Sequence, residues 1–301
     1  MTDTDGVLLD TQTHGTTTEL APYFTLERVS SAESLLQEWE PVFVEVFPDV
    51  NDREPPQELL KRLANGEDFF LMRDIKGKPV GIELAQARHG NGAMYIPWTG
   101  VLREYRNFGI GSMMTRRISK YMKQKYNITH TILDIEDPAR LHTSGYPEDE
   151  MEEAKEMAAR RINFWRRKGF IVIDDMYKKS GEKLEYVRPS SENDQDIQAY
   201  DHMIIRFEDE TMHENLNVLE GSIRKSFVRE CYLQMTRIQY GNFSEKELRA
   251  AYPAVEKYLS DIDAIERDFL PFMTTPVRPK LTPVIPAQIR MLSDEQQGIG
   301  V

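Results

Sequence analysis

The stretch Tyr95-Ile-Pro-Trp-Thr-Gly-Val-Leu-Arg-Glu-Tyr-Arg-Asn-Phe-Gly-Ile-Gly-Ser112 predicts a strand that ends and turns directly into a long helix. Its Arg106-x-x-Gly109-x-Gly111 pattern places two glycines where larger side chains would keep backbone amides away from an anion. A helix that begins here would aim the N–H groups of residues 107–112 at a pyrophosphate, helped by the positive end of the helix dipole. A glycine-rich strand-to-helix turn without a ligand is the alternative for this pattern taken alone.

The residues before this turn predict strands and amphipathic helices. A capping box at Ser30-Ser31-Ala32-Glu33 starts a helix that reaches Phe47. Pro55-Pro56 opens a second helix, which ends near Gly66. The predicted strands of this part form a meander and are Phe24–Val29, Asp68–Ile75, Pro79–Ala87 and Ala93–Val101.

After the turn, the pattern alternates helices with strands. The predicted segments are a helix from Gly109 to Tyr126, a strand at Thr131–Ile135, a helix from about 150 to 168, and strands at Phe170–Asp174 and His202–Phe207. A meander followed by such an alternation predicts a mixed, mainly antiparallel α/β sheet flanked by helices.

Beyond residue 210 the pattern predicts helices alone. A first apolar stripe, with spacings of three and four residues, includes Leu216, Leu219 and Ile223 at its start. A capping box at Ser244-Glu245-Lys246-Glu247 starts a second helical stripe, with Pro253 as its break.

A second motif, Arg161-Ile-Asn-Phe-Trp-Arg-Arg-Lys-Gly169-Phe170, follows the turn along the chain. Together with the lead-in Val101-Leu-Arg-Glu-Tyr-Arg106, the two motifs resemble those of the GNAT superfamily of acetyl-CoA-dependent N-acetyltransferases. The resemblance covers about residues 22–209 and implies a GNAT-like α/β (α+β) fold: a mixed, mainly antiparallel twisted sheet flanked by helices, here with an α-helical C-terminal extension. It also implies acetyl-CoA as co-substrate, and we expect no metal cofactor.

The resemblance assigns the acetyl-CoA contacts to the turn. The backbone amides concerned are those of Val101, Asn107, Phe108, Gly109, Ile110, Gly111 and Ser112. The basic side chains of Arg106, Arg116, Arg117 and Lys120 are candidates for the outer phosphates, with a solvated helix face as the alternative.

Two positions depart from the family pattern. Many members carry a glutamate as general base on the strand before the turn, where this chain has Pro97 and Trp98. The tyrosine that serves many members as general acid is replaced by Trp165, whose indole cannot give up a proton at neutral pH. For the base we expect Glu136, at the end of its strand, with Asp134 two residues earlier on the same face.

For the general acid the sequence offers Tyr177 and Tyr186, with Tyr95 as a third option. A packed aromatic side chain is the alternative role for each tyrosine, and a solvated loop acid is the alternative for Glu136. General acid or base catalysis typically contributes about 10²–10⁴-fold, so loss of the usual residues would slow acetyl transfer without abolishing it.

Composition excludes several classes of function. The 301 residues carry 38 basic and 50 acidic side chains, a net charge of -12, which opposes binding to nucleic acid or to anionic membranes and suits a cationic amine. The single cysteine, Cys231, excludes an internal disulfide, and with six scattered histidines it excludes a thiolate metal site. Because the chain has no long apolar run and its first residues lack the features of a signal peptide, a cytoplasmic location is predicted.

We predict four segments: a mobile tail at 1–21, a GNAT-like acetyltransferase domain at 22–209, a helical extension at 210–275 and a proline-containing irregular tail at 276–301. The apolar stripes of the extension need a surface to pack on, which is the sheet, the amine side of the cleft or a second copy in a homodimer.

The predicted reaction moves an acetyl group from acetyl-CoA, bound in the cleft between strands 93–101 and 131–135, to a primary amine by direct attack. A small cationic metabolite is favoured as acceptor, and a protein amine remains open. The alternative is a catalytically weak or inactive GNAT-fold module that binds CoA or a partner through its C-terminal helices.

Overall fold

The computed structural model describes residues 24–48, 53–138, 149, 151–172, 201–208, 218–219, 222–265 and 268–271. Within these residues, seven strands form one sheet in the order β1-β2-β3-β4-β5-β7-β6. The strands are β1 (Phe24–Val29), β2 (Asp68–Asp74), β3 (Pro79–Ala87), β4 (Ala93–Val101), β5 (His130–Glu136), β6 (Ile171–Val172) and β7 (Asp201–Phe207). β4 pairs with β5 in parallel, whereas the pairs β1 with β2, β5 with β7 and β6 with β7 are antiparallel. The predicted fold class, a mixed and mainly antiparallel sheet flanked by helices, is confirmed.

The helices of the described residues are α1 (Ala32–Ser34), α2 (Glu40–Val46), α3 (Pro56–Ala64), α4 (Ile110–Tyr126), α5 (Met151–Arg166), α6 (Lys225–Tyr240), α7 (Glu245–Ala251) and α8 (Pro253–Asp263). A π-helical turn, Leu35–Trp39, joins α1 to α2, and a 3₁₀ turn, Arg103–Tyr105, lies between β4 and α4. None of the helices in this described part combines the length and the apolar character needed to cross a bilayer.

The predicted ends of the elements agree with the structure to within about two residues at most positions, with one correction at the first helix. Its N-cap is Ser31, whose hydroxyl accepts a hydrogen bond from the Ser34 N–H at 3.1 Å. The predicted capping box of Ser30 with Glu33 is therefore wrong. The N-cap, which has an extended backbone conformation, is Ser31 and not Ser30, so the third helical residue is Ser34 and not Glu33. The capping box of Ser244 with Glu247 and the break at Pro253 are confirmed.

The chain forms two compact units. The first comprises the described residues up to Leu84 together with Trp98–Ile118, and the second comprises Ala85–Pro97 and the described residues from Ser119 onward. In the first unit, the α1–α2 segment and α3 bury an apolar cluster against β1, β2 and β3. This cluster contains Val29, Leu35, Trp39, Val42, Phe43, Leu59, Phe69, Leu71, Ile82, Leu84 and Leu102.

In the second unit, the C-terminal helices pack on the sheet. One apolar cluster joins Tyr95, Ile132 and Ile205 on the strands to residues of α6, α7 and α8. Polar contacts support this packing: Arg88 donates to the carbonyl oxygen of Ile238, and the Asn91 side chain donates to that of Gln234 at 3.2 Å. These helices therefore cover the sheet, which is one of the three surfaces considered for the extension.

The start of the first C-terminal stripe differs from its prediction. Leu219 lies in β8 (Val218–Leu219) and Ile223 in β9 (Ser222–Arg224), and both strands form a small sheet with β10 (Phe269–Pro271). The pairing of Ile223 with Leu270 connects residues far apart in the sequence. A spacing of three and four residues cannot reveal such a pairing, so the helix prediction fails here and holds only from Lys225.

Several predictions fall on residues that the structure does not describe. They are the two tails at 1–21 and 276–301 and the residues Tyr177 and Tyr186.

Candidate active site

The turn between β4 and α4 depends on two left-handed backbone conformations. Asn107 has φ 69° and Gly109 has φ 80°, and both residues are exposed. Glycine adopts this region without steric cost, and asparagine is among the few other residues that enter it readily. Because the Met113 N–H donates to the Gly109 carbonyl oxygen at 3.0 Å, the helix begins directly after the turn.

The start of α4 presents its first-turn amides at the end of this turn. The N–H groups in the first turn of a helix have no partner within the helix, and the helix dipole adds positive potential there. Gly109 has open space around its Cα, since a Cβ added there would meet nothing within 4 Å. The turn is therefore shaped to let an anion approach backbone N–H groups.

Two hydrogen bonds close the loop before this helix. The Leu102 N–H donates to the Val80 carbonyl oxygen at 2.9 Å, which ties the end of β4 to β3. The Arg106 Nε donates to the Val101 carbonyl oxygen at 2.8 Å. All eight residues predicted to contact acetyl-CoA, Val101 and Arg106 to Ser112, thus lie in one continuous turn and helix start of the first unit.

Tyr105 lies in the 3₁₀ turn before the helix, and the basic residues Arg116, Arg117 and Lys120 lie on α4. Tyr105 donates its hydroxyl to Asp74 at 3.0 Å, and burial, followed by this contact, raises the pKa of Tyr105 to about 12. Its hydroxyl therefore stays protonated at neutral pH. Arg117 donates to the Phe24 carbonyl oxygen at 3.1 Å, and burial and the neighbouring Arg116 lower its pKa. Arg116 and Lys120 are exposed on α4.

A buried carboxylate lies beneath the turn and was not among the predicted site residues. Glu83 on β3 is fully buried, and its Oε2 accepts hydrogen bonds from Thr99 on β4 at 3.0 Å and from Thr115 on α4 at 3.1 Å. The sequence signal that could have indicated it is a single acid inside the otherwise apolar run Val80–Ala85. Its two partners are visible only in the folded chain.

Trp98 lies on β4, in the region where many family members carry the glutamate base, and its ring packs against another aromatic side chain. Trp98 makes an edge contact with Phe43 at a centroid distance of 5.4 Å. The guanidinium of Arg62 lies 5.7 Å from the Trp98 ring centroid. Trp98 therefore has a cation–π contact within the chain, with Arg62.

In the second unit, the parallel ladder between β4 and β5 begins at Ala93 with His130 and continues to Tyr95 with Ile132. Two residues after Ile132 on β5, Asp134 accepts a hydrogen bond at 2.8 Å from the hydroxyl of Tyr95. Tyr95 is only 1% exposed and Asp134 is half-buried. Tyr95, the third option for the general acid, therefore directs its proton to a carboxylate.

Glu136, the predicted base, is half-buried and forms an ion pair with Arg161 of α5. Trp165 is 5% exposed and packs edge-on against Phe170 with a centroid distance of 4.8 Å. Trp165 is therefore a core residue.

Residues 32–146 match the family described as the Acetyltransferase (GNAT) family. This segment is a GNAT acetyltransferase domain. The GNAT domain contains the whole turn from β4 to α4, together with Glu83 and β5, so the recognition made from the sequence motifs is confirmed. The second motif, Arg161–Phe170, lies beyond the matched residues. A comparison with curated proteins found no match.

Solved structures similar to this chain include three from different organisms. A protein from Bacteroides thetaiotaomicron, assigned as a GNAT-family acetyltransferase, is 16% identical, with 72% of this chain and 99% of that chain covered and a TM-score of 0.43. A GNAT-family acetyltransferase from Elizabethkingia anophelis with acetyl-CoA bound is 11% identical, covering 62% and 98%, with a TM-score of 0.38. Naa50 from Arabidopsis thaliana in complex with the bisubstrate analogue CoA-Ac-MVNAL is 19% identical, covering 61% and 98%, with a TM-score of 0.39.

Proposed function

We propose that this protein transfers an acetyl group from acetyl-CoA to a primary amine of a small cationic metabolite. The observation that supports it most directly is the turn from β4 to α4 inside the GNAT domain. There, Asn107 and Gly109 adopt left-handed backbone conformations at the start of a 17-residue helix. The net charge of -12 supports a cationic acceptor.

The turn supplies the cofactor half of the site in this proposal. The backbone amides of Val101 and of Asn107 to Ser112 hold the pyrophosphate of acetyl-CoA. The exposed side chains of Arg116 and Lys120 lie on the same helix and suit the outer phosphates. Arg106 has its Nε on the Val101 carbonyl oxygen, so this part of its side chain also stabilises the loop.

The chemistry is a direct attack in a ternary complex. The lone pair of the neutral amine attacks the thioester carbonyl carbon; the C–N bond forms, and the C–S bond breaks through a tetrahedral oxyanion. The amine nitrogen loses one proton and the departing thiolate of CoA gains one. A base and an acid are therefore each useful, although neither is indispensable in a well-positioned complex.

Glu136 is the proposed base, and Tyr177 and Tyr186 are the proposed acids. Since Glu136 is ion-paired with Arg161, an incoming ammonium would compete with that guanidinium for the carboxylate. We expect Glu136→Gln, Tyr177→Phe or Tyr186→Phe to lower kcat by about 10²-fold or more where the residue takes part in proton transfer. Thiol release from acetyl-CoA, measured with the best amine of a panel, tests each variant.

The first experiment is calorimetric titration of the protein with acetyl-CoA and with CoA. We expect saturable binding at about one site per chain, as a single turn per chain predicts. Absence of binding to either compound would contradict the proposed site.

A matched pair of variants locates the binding. Gly109→Val and Gly77→Val both introduce a β-branched residue at nearly the same left-handed φ, 80° and 79°, and both have nothing within 4 Å of the new Cβ. Both variants should lose about 1–2 kcal/mol of stability or somewhat more. Because Gly77 lies in the turn between β2 and β3, only Gly109→Val should weaken CoA binding, by about tenfold or more. Equal affinities in the two variants would contradict the assignment.

A second candidate function is a GNAT-fold module that binds CoA or a partner without turnover. The replacement of the usual base region by Pro97 and Trp98, and the burial of Trp165 against Phe170, favour it. Release of free CoA thiol above the hydrolysis background with any amine in the panel would exclude this candidate. Binding of CoA without any such release would support it.

A further inference from the structure

Glu83 is a fully buried acid with two hydroxyl donors. Thr99 Oγ1 donates to its Oε2 at 3.0 Å and Thr115 Oγ1 donates to the same oxygen at 3.1 Å. Burial of a carboxyl group costs free energy unless hydrogen bonds compensate for the lost contacts with water. An apolar side chain at this core position would avoid that desolvation cost. The position of its partners suggests what the group contributes.

The three side chains come from the elements that flank the turn. Thr99 lies two residues before Val101, where β4 ends, and Thr115 lies in the second turn of α4. Glu83 on β3 therefore bridges the last residues of the strand to the first turns of the helix. The anion-binding turn, residues 101–112, connects the two elements that this carboxylate holds.

β3 has two more contacts with the same region. The Val80 carbonyl oxygen accepts the Leu102 N–H at 2.9 Å. Gly81 allows close approach, since a Cβ there would lie 3.2 Å from the Gly100 carbonyl oxygen and 3.5 Å from Met114 Sδ. Val80, Gly81 and Glu83 thus place one short segment of β3 against both ends of the turn.

We propose that Glu83 is a positioning residue for the acetyl-CoA turn. By holding Thr99 and Thr115 on one oxygen, it sets the distance between the end of β4 and the start of α4, and thereby aims the turn amides at the pyrophosphate. Binding groups need placement to within about half an ångström, and the amides of a helix start move with the helix. This inference rests on the proposed function.

Variants of each partner test the proposal. Glu83→Gln keeps the shape and a carbonyl oxygen that accepts both hydroxyls, so its CoA affinity should remain within about threefold of wild type. Glu83→Leu removes both bonds and should weaken CoA binding by about tenfold or more. Thr99→Val and Thr115→Val each remove one bond while almost preserving volume, so they keep the test valid if Glu83→Leu does not fold. Each should weaken CoA binding by about threefold to tenfold.

Thr236→Val is the matched control. Thr236 is fully buried, as Thr115 nearly is, and it donates its hydroxyl, at 2.7 Å, to the carbonyl oxygen of Tyr232 within α6. The same substitution there should lower stability, as at Thr99 and Thr115, but leave CoA affinity unchanged. If Thr99→Val and Thr115→Val lose no more CoA affinity than Thr236→Val, the positioning role is overturned.

A spectroscopic readout separates positioning from general stability. With CoA at saturation, the ³¹P resonances of the pyrophosphate should shift in Thr99→Val and Thr115→Val relative to wild type, measured against an external phosphate standard. Thr236→Val should leave the pyrophosphate resonances in place. Unchanged pyrophosphate resonances in all variants would overturn the inference, whereas failure of wild-type protein to bind CoA would contradict the proposed function itself.

Discussion

Gly100, near the end of β4, is packed so tightly that the structure leaves no room for a larger side chain. At Gly100, a Cβ would lie 2.1 Å from Val46 Cγ1, a distance that real Cβ atoms essentially never show, and at a tight 3.2 Å from Val46 Cβ. Glycine is required here by the approach of α2 to the strand, since Gly100 has no left-handed φ. The position therefore reports on packing in the first unit, one residue before the turn.

We predict that Gly100→Ala lowers the free energy of unfolding by about 1–3 kcal/mol, because the added methyl group overpacks the contact with Val46. Val46→Ala removes the methyl groups that the new Cβ would meet, so the double variant should regain much of this loss. Urea unfolding of the wild type, both single variants and the double variant measures the coupling. Strictly additive effects would show that the two residues do not share this contact.

At the scale of residues, the sequence indicates which side chains are unusual but not which ones they meet. Glu83 stands out as a single acid in the apolar run Val80–Ala85. Its contacts with Thr99 and Thr115 bring together residues 16 and 32 positions apart in the chain. No local pattern encodes such contacts, because they depend on how β3, β4 and α4 pack.

At the scale of elements, His130 links β5 to α6. Its Nε2 lies 2.7 Å from Gln234 Oε1, its Nδ1 lies 3.0 Å from Thr129 Oγ1, and its ring packs edge-on against Phe227. Burial lowers the pKa of His130 to about 4, although the hydrogen bond with Gln234 acts in the opposite direction. The neutral imidazole is thus part of the contact between the strand and the C-terminal helix.

This shift predicts a loss of stability on acidification. In the unfolded chain a histidine titrates near pH 6.5. Between about pH 6.5 and pH 4 the unfolded chain therefore takes up a proton that folded His130 does not, and stability falls by at most about 1.4 kcal/mol per pH unit. Above pH 6.5 the residue is neutral in both states and contributes no pH dependence.

Urea unfolding at pH 7, 6 and 5 measures this effect. His130→Gln should be less stable than wild type at pH 7, because packing is lost, but its stability should decline less steeply between pH 6 and pH 5. Parallel pH profiles of the two proteins would show that His130 does not take part in the proton linkage.

Local sequence signals predict where a helix or strand ends better than they predict which other element it pairs with. The capping box of Ser244 with Glu247 lies where the sequence predicts it, because its four residues satisfy one another's backbone groups. Leu219 and Ile223 fit a helical stripe equally well, yet they lie in β8 and β9. The pairing of Ile223 with Leu270 overrides the local preference there.

At the scale of the whole molecule, the C-terminal helices complete the core of the second unit. The cluster that contains Tyr95, Ile132 and Ile205 also contains Tyr232, Tyr258 and other residues of α6–α8. Removal of these helices would leave the face of β4, β5 and β7 without its apolar cover. An exposed apolar face of this kind favours aggregation.

We predict that a chain ending before Glu210 aggregates, which light scattering and the fraction of soluble protein after expression would measure. A cut before Pro276 removes none of the described core residues and serves as the control. A truncated chain that is soluble, keeps the mass state of the full chain and binds CoA with full affinity would contradict the prediction.

The sequence by itself determined the turn, its approximate helix start and the recognition of the GNAT domain. The turn and the helix start follow from short-range requirements: Gly109 needs a left-handed φ, and an anion needs backbone amides that no bulky side chain covers. The recognition of the GNAT domain rests on the resemblance of two motifs. It also predicted strands β3 and β4 with their observed ends, because apolar runs between turn residues specify them locally.

Only the tertiary structure decided what these elements contact. The bridge from Glu83 to Thr99 and Thr115, the hydrogen bond of Tyr95 with Asp134, and the packing of α6 on β5 through His130 all join residues distant in sequence. Such contacts arise when apolar faces pack and bring polar groups along with them, so each depends on the whole arrangement rather than on its neighbours in the chain.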